Sequence, residues 1–116
     1  MAEIQLLGPD TWREFIESPG VAHLVIGKND CVSCNAWDEE LREFLAGEHG
    51  FENVRFGKID LKTRGLIEFK RENQWIAELD TLPFNVIYKD GKRERDFAGL
   101  GVDRLTNRLK RVLGED

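Results

Sequence analysis

The feature that most constrains the fold is the apolar run at residues 21–27, VAHLVIG, which is interrupted only by His23. A run of this length without polar alternation is typical of a central strand that is covered on both faces. Residues 32–46 follow it, and there Trp37, Leu41 and Leu45 recur at helical spacing. They predict an amphipathic helix that packs on the strand. A covered strand joined to such a helix favours a layered α/β fold.

The rest of the chain continues this alternation. We predict further strands at residues 3–7, 53–60, 84–88 and 93–98, and further helices at residues 10–17, 62–79 and 103–113, the first capped by Asp10 or Thr11. The Asp90-Gly91 pair predicts a tight hairpin between the last two strands. The order is then βαβαβαββα, which predicts a mixed central sheet with helices on both faces. At 116 residues, we expect residues 1–116 to form one domain.

The only two cysteines, Cys31 and Cys34, form a Cys-x-x-Cys motif between this strand and helix. A dithiol at such a junction can form and break a disulfide without moving the fold, which is typical of redox sites. The helix N-terminus favours a thiolate, so we expect Cys31 to be more acidic and more exposed than Cys34. Lys28, by charge, and Ser33, by a hydrogen bond, are expected to favour that thiolate. Asp30 is expected to oppose it, by repulsion and by competing to cap the helix.

Metal binding is the main chemical alternative for the two thiols. Zinc needs four protein ligands at a structural site, or three at a catalytic one. The chain has two cysteines, and its two histidines lie elsewhere. We expect His23 to be a hydrogen-bonded core residue and His49 to be a surface residue at a helix end. No metal ligand is therefore predicted within one chain, and a cluster shared between two chains stays open.

The charge balance narrows the class of partner. Lys and Arg number 17 and Asp and Glu number 22, so the net charge is −5 and no basic stripe suits a nucleic acid. The sequence has no apolar run near the ~20 residues that span a bilayer, and its first residues lack the features of a signal peptide. We therefore expect no membrane association and a cytoplasmic location, where a permanent structural disulfide is rare. We also expect a monomer.

The element order and four short motifs together resemble the thioredoxin-like superfamily. The motifs are the Cys31–Cys34 dithiol, the Thr-Leu-Pro that ends at Pro83, the Lys-Asp-Gly-Lys turn at residues 89–92, and Gly99. The resemblance covers nearly the whole chain and implies a three-layer α/β/α sandwich. It also implies a cis peptide bond before Pro83, which would lie against the dithiol, and a loop at Gly99 beside the same site. By resemblance, Cys31 is the attacking thiol and Cys34 the resolving thiol.

The resemblance also implies where a substrate binds. A cis bond exposes the peptide edge of Leu82, where an extended substrate can pair. The residues expected to bind or support the substrate are Leu82, Pro83, Val32, Ser33 and Gly99. Among the departures of this chain from the family pattern, Asp30 replaces a tryptophan, and Val25 replaces a buried aspartate thought to assist proton transfer at the second cysteine.

The predicted function is that of a thiol–disulfide oxidoreductase. It would act on a protein disulfide through a mixed disulfide at Cys31 that Cys34 resolves. We expect no cofactor beyond the redox-active disulfide, and an electron donor such as a thioredoxin reductase in the cytoplasm. Two other functions stay open at this point. One is a thioredoxin-like binding module with a regulatory or vestigial dithiol, and the other is a metal or iron–sulfur carrier.

Overall fold

A five-stranded mixed sheet organises the chain in the computed structural model, which describes residues 3–114. The elements in chain order are β1 (Ile4–Leu6), α1 (Trp12–Glu17), β2 (Val21–Gly27), α2 (Val32–Ala46), β3 (Val54–Asp60), α3 (Ile67–Glu72), a 3₁₀ helix (Gln74–Glu78), β4 (Phe84–Lys89), β5 (Lys92–Ala98) and α4 (Val102–Leu113). The strand order is β1-β3-β2-β4-β5, with β1, β3 and β2 parallel and β4 and β5 antiparallel to their neighbours. The predicted central place of the apolar strand is confirmed.

The sheet separates two hydrophobic cores. Alternate residues of β2 enter each core, because successive side chains of a strand point to opposite faces. Leu24 and Ile26 pack on the side of α1 and α3, whereas Val21 and Val25 pack on the side of α2 and α4. The result is the predicted three-layer α/β/α sandwich. No helix within residues 3–114 combines the length and the apolar character needed to cross a membrane.

The helix predicted for residues 62–79 is wrong in its extent. Residues 61–66 form turns, and the helical part is divided into α3 and the 3₁₀ helix. Gly65 adopts a left-handed φ of 85°, and Asn73 leaves helical geometry with ψ of 63°. The Asn73 side chain donates a hydrogen bond to the Phe69 carbonyl and so ends α3. The divided segment still buries Phe69 and Ile76 in the core.

The remaining boundaries differ from prediction by a few residues. β1 and α1 are shorter than predicted. Thr11 is the N-cap of α1, as predicted, but its side chain accepts the Gly8 N–H instead of an N–H of the helix. The hairpin is confirmed, since Asp90 and Gly91 have φ values of 51° and 83°. Asp90 also accepts a hydrogen bond from the Gly20 backbone N–H at 2.7 Å, which fixes the turn against the start of β2.

Candidate active site

The two cysteines form a disulfide at the start of α2. Cys31 is the N-cap residue, with extended backbone, and its Cα lies 5.2 Å from that of Cys34. The backbone N–H of Cys34 donates to the Cys31 sulfur at 3.1 Å, so this sulfur takes the place of the oxygen that usually caps a helix. Cys31 is half-buried, whereas Cys34 is buried. The arrangement favours a thiolate on Cys31, because an N–H and the helix dipole both point at its sulfur.

Of the residues expected to bind or support the substrate, Leu82 lies beside Cys31, Pro83 follows it, and a hydrogen bond between their loops joins Pro83 to Gly99. The Leu82 carbonyl oxygen lies 3.9 Å from the Cys31 sulfur, and the peptide bond that follows Leu82 is cis. The backbone N–H of Gly99 donates to the Pro83 carbonyl at 2.7 Å, which joins the two loops. Val32, with 85% of its surface exposed, projects outward from the first turn of α2. This face is therefore built from one turn of helix and two loops.

Asp30 does not take the place that the sequence predicts, whereas the bond expected from Ser33 is to a thiolate, which the disulfide does not contain. Ser33 is exposed, and among the hydrogen bonds of residues 3–114 none joins its side chain to Cys31. Asp30 does not compete to cap α2, because Cys31 itself is the N-cap. The Asp30 carboxylate instead accepts a hydrogen bond from the Lys62 ammonium at 3.0 Å. This bond and the charge of Lys62 hold the pKa of Asp30 below its usual range, so its negative charge is paired.

A buried polar network connects α2 to the loop beside Pro83. The Asn85 side-chain oxygen lies 2.8 Å from the Trp37 indole nitrogen, which donates to it, and 2.9 Å from His23 Nε2. The Asn85 amide nitrogen donates to the Gly99 carbonyl at 3.0 Å. Trp37, Asn85 and His23 have no exposed surface, which confirms His23 as a hydrogen-bonded core residue. Burial lowers the pKa of His23 to about 4, against the opposing effect of its bond to Asn85.

His49 is not the surface residue that the sequence predicts. Its side chain is only 1% exposed, and its Nδ1 accepts the backbone N–H of Phe51 at 3.0 Å. Phe44 packs beside the imidazole ring, with the ring centres 5.5 Å apart. Within residues 3–114, no group of three or more histidine, cysteine or acidic side chains is arranged to hold a metal ion.

A cleft of about 240 Å³ opens on Cys34, and the sequence patterns do not predict it. We call it the Cys34 cleft; its lining includes Cys34, Val25, Gly27, Asp38, Lys58 and Asp60. Lys58 lies opposite Val25 in the pairing of β3 with β2, and its ammonium donates to the Asp38 carboxylate at 2.8 Å. Leu82, Pro83 and Gly99 lie outside this lining. The two cysteines therefore open on different surroundings.

Solved structures with this architecture include several thioredoxins. No protein-family model matches the sequence, and no curated protein matches it. Thioredoxin from Trypanosoma brucei brucei matches with a TM-score of 0.76 at 15% identity, over 97% of this chain and 92% of its own. The short form of spinach chloroplast thioredoxin f matches with a TM-score of 0.75 at 17% identity, over 95% and 93%. Oxidized mitochondrial thioredoxin 3 from Saccharomyces cerevisiae matches with a TM-score of 0.71 at 21% identity, over 93% and 94%.

At these identities the likeness establishes the fold. The chain has the thioredoxin-like fold, as the sequence motifs predict. Within that fold it carries a Cys-x-x-Cys pair that closes as a disulfide at a helix N-terminus.

Proposed function

We propose that this protein is a thiol–disulfide oxidoreductase that acts on protein disulfides through Cys31. The observation that carries the proposal is the setting of the Cys31 sulfur. It is half-buried, receives the Cys34 N–H at 3.1 Å, and lies 3.9 Å from the Leu82 carbonyl. A helix N-terminus stabilises the attacking thiolate, and the adjacent backbone offers a place for the substrate chain.

The reaction starts from the reduced pair. The Cys31 thiolate attacks one sulfur of the client disulfide, forms a mixed disulfide, and expels the second client sulfur as a thiolate that takes up a proton. Cys34 then attacks the Cys31 sulfur, which breaks the bond to the client and forms the Cys31–Cys34 disulfide. Two electrons pass to the client in each cycle. A dithiol electron donor restores the reduced pair by the same exchange in reverse.

The client is held as an extended segment beside Leu82 and Pro83. Its backbone pairs with the peptide edge of Leu82, next to the attacking sulfur. Val32 and the half-buried Leu100 form apolar contacts at the rim, and the Gly99 N–H keeps the Pro83 loop in place. We propose that no further cofactor takes part, and that the protein works in a reducing compartment such as the cytoplasm, with a donor of the thioredoxin reductase type.

The first prediction is that the two cysteines trap the client differently. In Cys34→Ser, Cys31 still attacks but nothing resolves the product, so a stable mixed disulfide with a disulfide-containing protein is expected. In Cys31→Ser, none is expected, because Cys34 is buried. The adducts are measured by non-reducing electrophoresis and intact mass after incubation of the reduced variants with a model substrate such as insulin. Wild-type protein, which resolves its adduct, is the control.

Two outcomes would contradict the proposal. Adducts on Cys31→Ser alone would reverse the assigned roles. The absence of adducts on both variants, together with a wild-type protein that fails to reduce insulin, would rule out the proposed enzymatic activity and favour a role as a binding module.

A further inference from the structure

The Cys34 cleft bears on the second half of the proposed cycle, where Cys34 must lose a proton before it can attack. Cys34 has only 8% of its surface exposed. Its sulfur packs so closely on β2 that a Cβ added to Gly27 would lie 2.9 Å from it. A buried thiol resists ionisation, because burial disfavours the charged form. The proton therefore needs an outlet, and the Cys34 cleft is an opening with room for several water molecules.

An ionised carboxylate stands in this cleft one helical turn beyond Cys34. Residues four apart on a helix share a face, so Asp38 follows Cys34 along the same side of α2. Asp38 is held by two hydrogen bonds, from the Lys58 ammonium at 2.8 Å and from the Arg42 guanidinium at 2.9 Å. Partial burial alone would raise the pKa of Asp38, but these two cations outweigh burial and hold it below its usual range. Asp38 is thus held in position in its anionic form.

A second carboxylate, that of Asp60, also lines the cleft. It differs from Asp38 because it comes from the end of β3 and accepts the backbone N–H of Lys62 at 2.8 Å. The charged and titratable groups around Cys34 and Asp38 are Lys28, Cys31, Arg42, Lys58 and Asp60. Of the two carboxylates, only that of Asp38 lies on the same helix face as Cys34 and accepts hydrogen bonds from both Lys58 and Arg42.

We propose that Asp38 accepts the proton of Cys34, through water in the Cys34 cleft, when Cys34 resolves the mixed disulfide. Lys58 is a positioning residue that holds Asp38 in the cleft. The role deepens the proposed function and rests on it. The role also fits the presence of Val25 on β2, opposite Lys58. Because Val25 carries no charge, the Lys58 ammonium pairs with the Asp38 carboxylate on α2.

The step balances without another reactant. The Cys34 S–H bond breaks and its proton passes through water to Asp38. The electron pair left on the Cys34 sulfur forms a bond to the Cys31 sulfur, and the bond between Cys31 and the client sulfur breaks. The client leaves as a thiolate and takes a proton from solvent. Asp38 returns its proton to the open cleft, as its low affinity for protons requires.

The test measures only the resolving step, in which Cys34 attacks the mixed disulfide on Cys31. Reduced protein is mixed with an aromatic disulfide reagent whose thiolate is coloured, so that Cys31 forms a mixed disulfide and Cys34 then releases the second coloured thiolate. The first-order rate of that release is measured from about pH 5 to pH 9 for wild type, Asp38→Asn, Asp38→Glu and Asp60→Asn. Glu39→Gln is the matched control, because it removes the same charge from the next residue of α2, which is exposed and outside the cleft.

We expect Asp38→Asn to slow the release about tenfold near pH 6, which is less than the ~10²- to 10⁴-fold typical of general base catalysis because the Asp38 carboxylate binds protons weakly. The deficit should disappear above the pKa of Cys34, where the thiolate forms without help, and Asp38→Glu should recover part of the rate. A rate for Asp38→Asn equal to that of Glu39→Gln at every pH would overturn the proposal, as would a larger loss in Asp60→Asn. If wild-type Cys31 forms no mixed disulfide at all, the oxidoreductase proposal itself fails, which is a different observation.

Discussion

At the scale of single residues, Asp30, next to Cys31 in the chain, forms an ion pair with Lys62. The Asp30 carboxylate precedes Cys31 in the chain and would repel a thiolate, but the Lys62 ammonium lies 3.0 Å from it. Removing the ammonium in Lys62→Gln leaves this repulsion uncompensated and raises the pKa of Cys31. We expect alkylation of reduced Cys31 near neutral pH to slow by about two- to fivefold, as suits an exposed ion pair.

Two further variants serve as controls for the alkylation rate of Cys31. Asp30→Asn should speed the alkylation, and Lys110→Gln, which removes an exposed ammonium on α4, should leave it unchanged. Because exposed charges are screened by salt, the effect of Lys62→Gln should fade at about 1 M salt. An unchanged alkylation rate in Lys62→Gln at low salt would show that Asp30 does not act on the thiolate.

The two cysteines and the loops near Cys31 were predictable from the sequence, whereas the pairing of Lys58 with Asp38 in the Cys34 cleft was not. Cys31 and Cys34 are adjacent in a motif, and Pro83 and Gly99 follow from the resemblance. Lys58 and Asp38 lie 20 positions apart, and periodicity reports only which face of its own element a residue occupies. Which side chain meets which across a sheet and a helix depends on register and packing. For the same reason, the partners of Asn85 could not be read from its place in an apolar strand.

At the scale of elements, the contact between the end of β2 and the start of α2 sets the position of Cys34. A Cβ on Gly27 would lie 2.9 Å from the Cys34 sulfur, closer than real Cβ atoms approach, and 3.2 Å from the Cys34 Cβ, which is also a tight contact. In Gly27→Ala, the first turn of α2 must shift outward. We expect the free energy of unfolding to fall by about 1–3 kcal/mol, the usual cost of overpacking. Urea denaturation of the oxidised protein measures it.

Gly8→Ala is the matched control for that substitution, because an added Cβ at Gly8 meets nothing within 4 Å. It should change the free energy of unfolding by less than about 0.5 kcal/mol, as for most surface substitutions. If Gly27→Ala is as stable as Gly8→Ala, then α2 yields to the extra methyl group without cost and its packing on β2 is looser than the structure indicates.

Element order was predictable because α2 and α4 have a clear hydrophobic period, β2 is a nearly continuous apolar run, and the Asp90-Gly91 turn marks the last two strands. The exception is the segment after β3, where the apolar spacing of residues 62–79 predicts one helix. Spacing does not reveal that Gly65 takes a left-handed φ or that the Asn73 side chain bonds back to Phe69. Such local breaks depend on backbone conformations that compete closely with the helix. The apolar residues reach the core in both cases, so periodicity alone cannot distinguish the two arrangements.

At the scale of the whole molecule, the network of His23, Asn85 and Trp37 makes stability depend on pH. His23 has no exposed surface, and burial lowers its pKa from 6.5 to about 4. Below pH 6.5 the unfolded chain binds a proton at His23 that the folded protein does not bind. The free energy of unfolding therefore falls as pH falls from 6.5 toward 4. Below about pH 4 both the folded and the unfolded chain bind this proton, so His23 causes no further loss.

The size of this effect follows from the gap between the two pKa values. Each pH unit inside the range costs about 1.4 kcal/mol, so we expect a loss of about 2 kcal/mol between pH 6.5 and pH 5. Urea denaturation at both pH values measures the loss. His23→Gln keeps an amide N–H that can donate to Asn85 but does not titrate, so it should be less stable at pH 7 and lack most of the loss. Because this variant retains His49 and every carboxylate, an equal loss in both proteins would assign the pH dependence to those groups instead of His23.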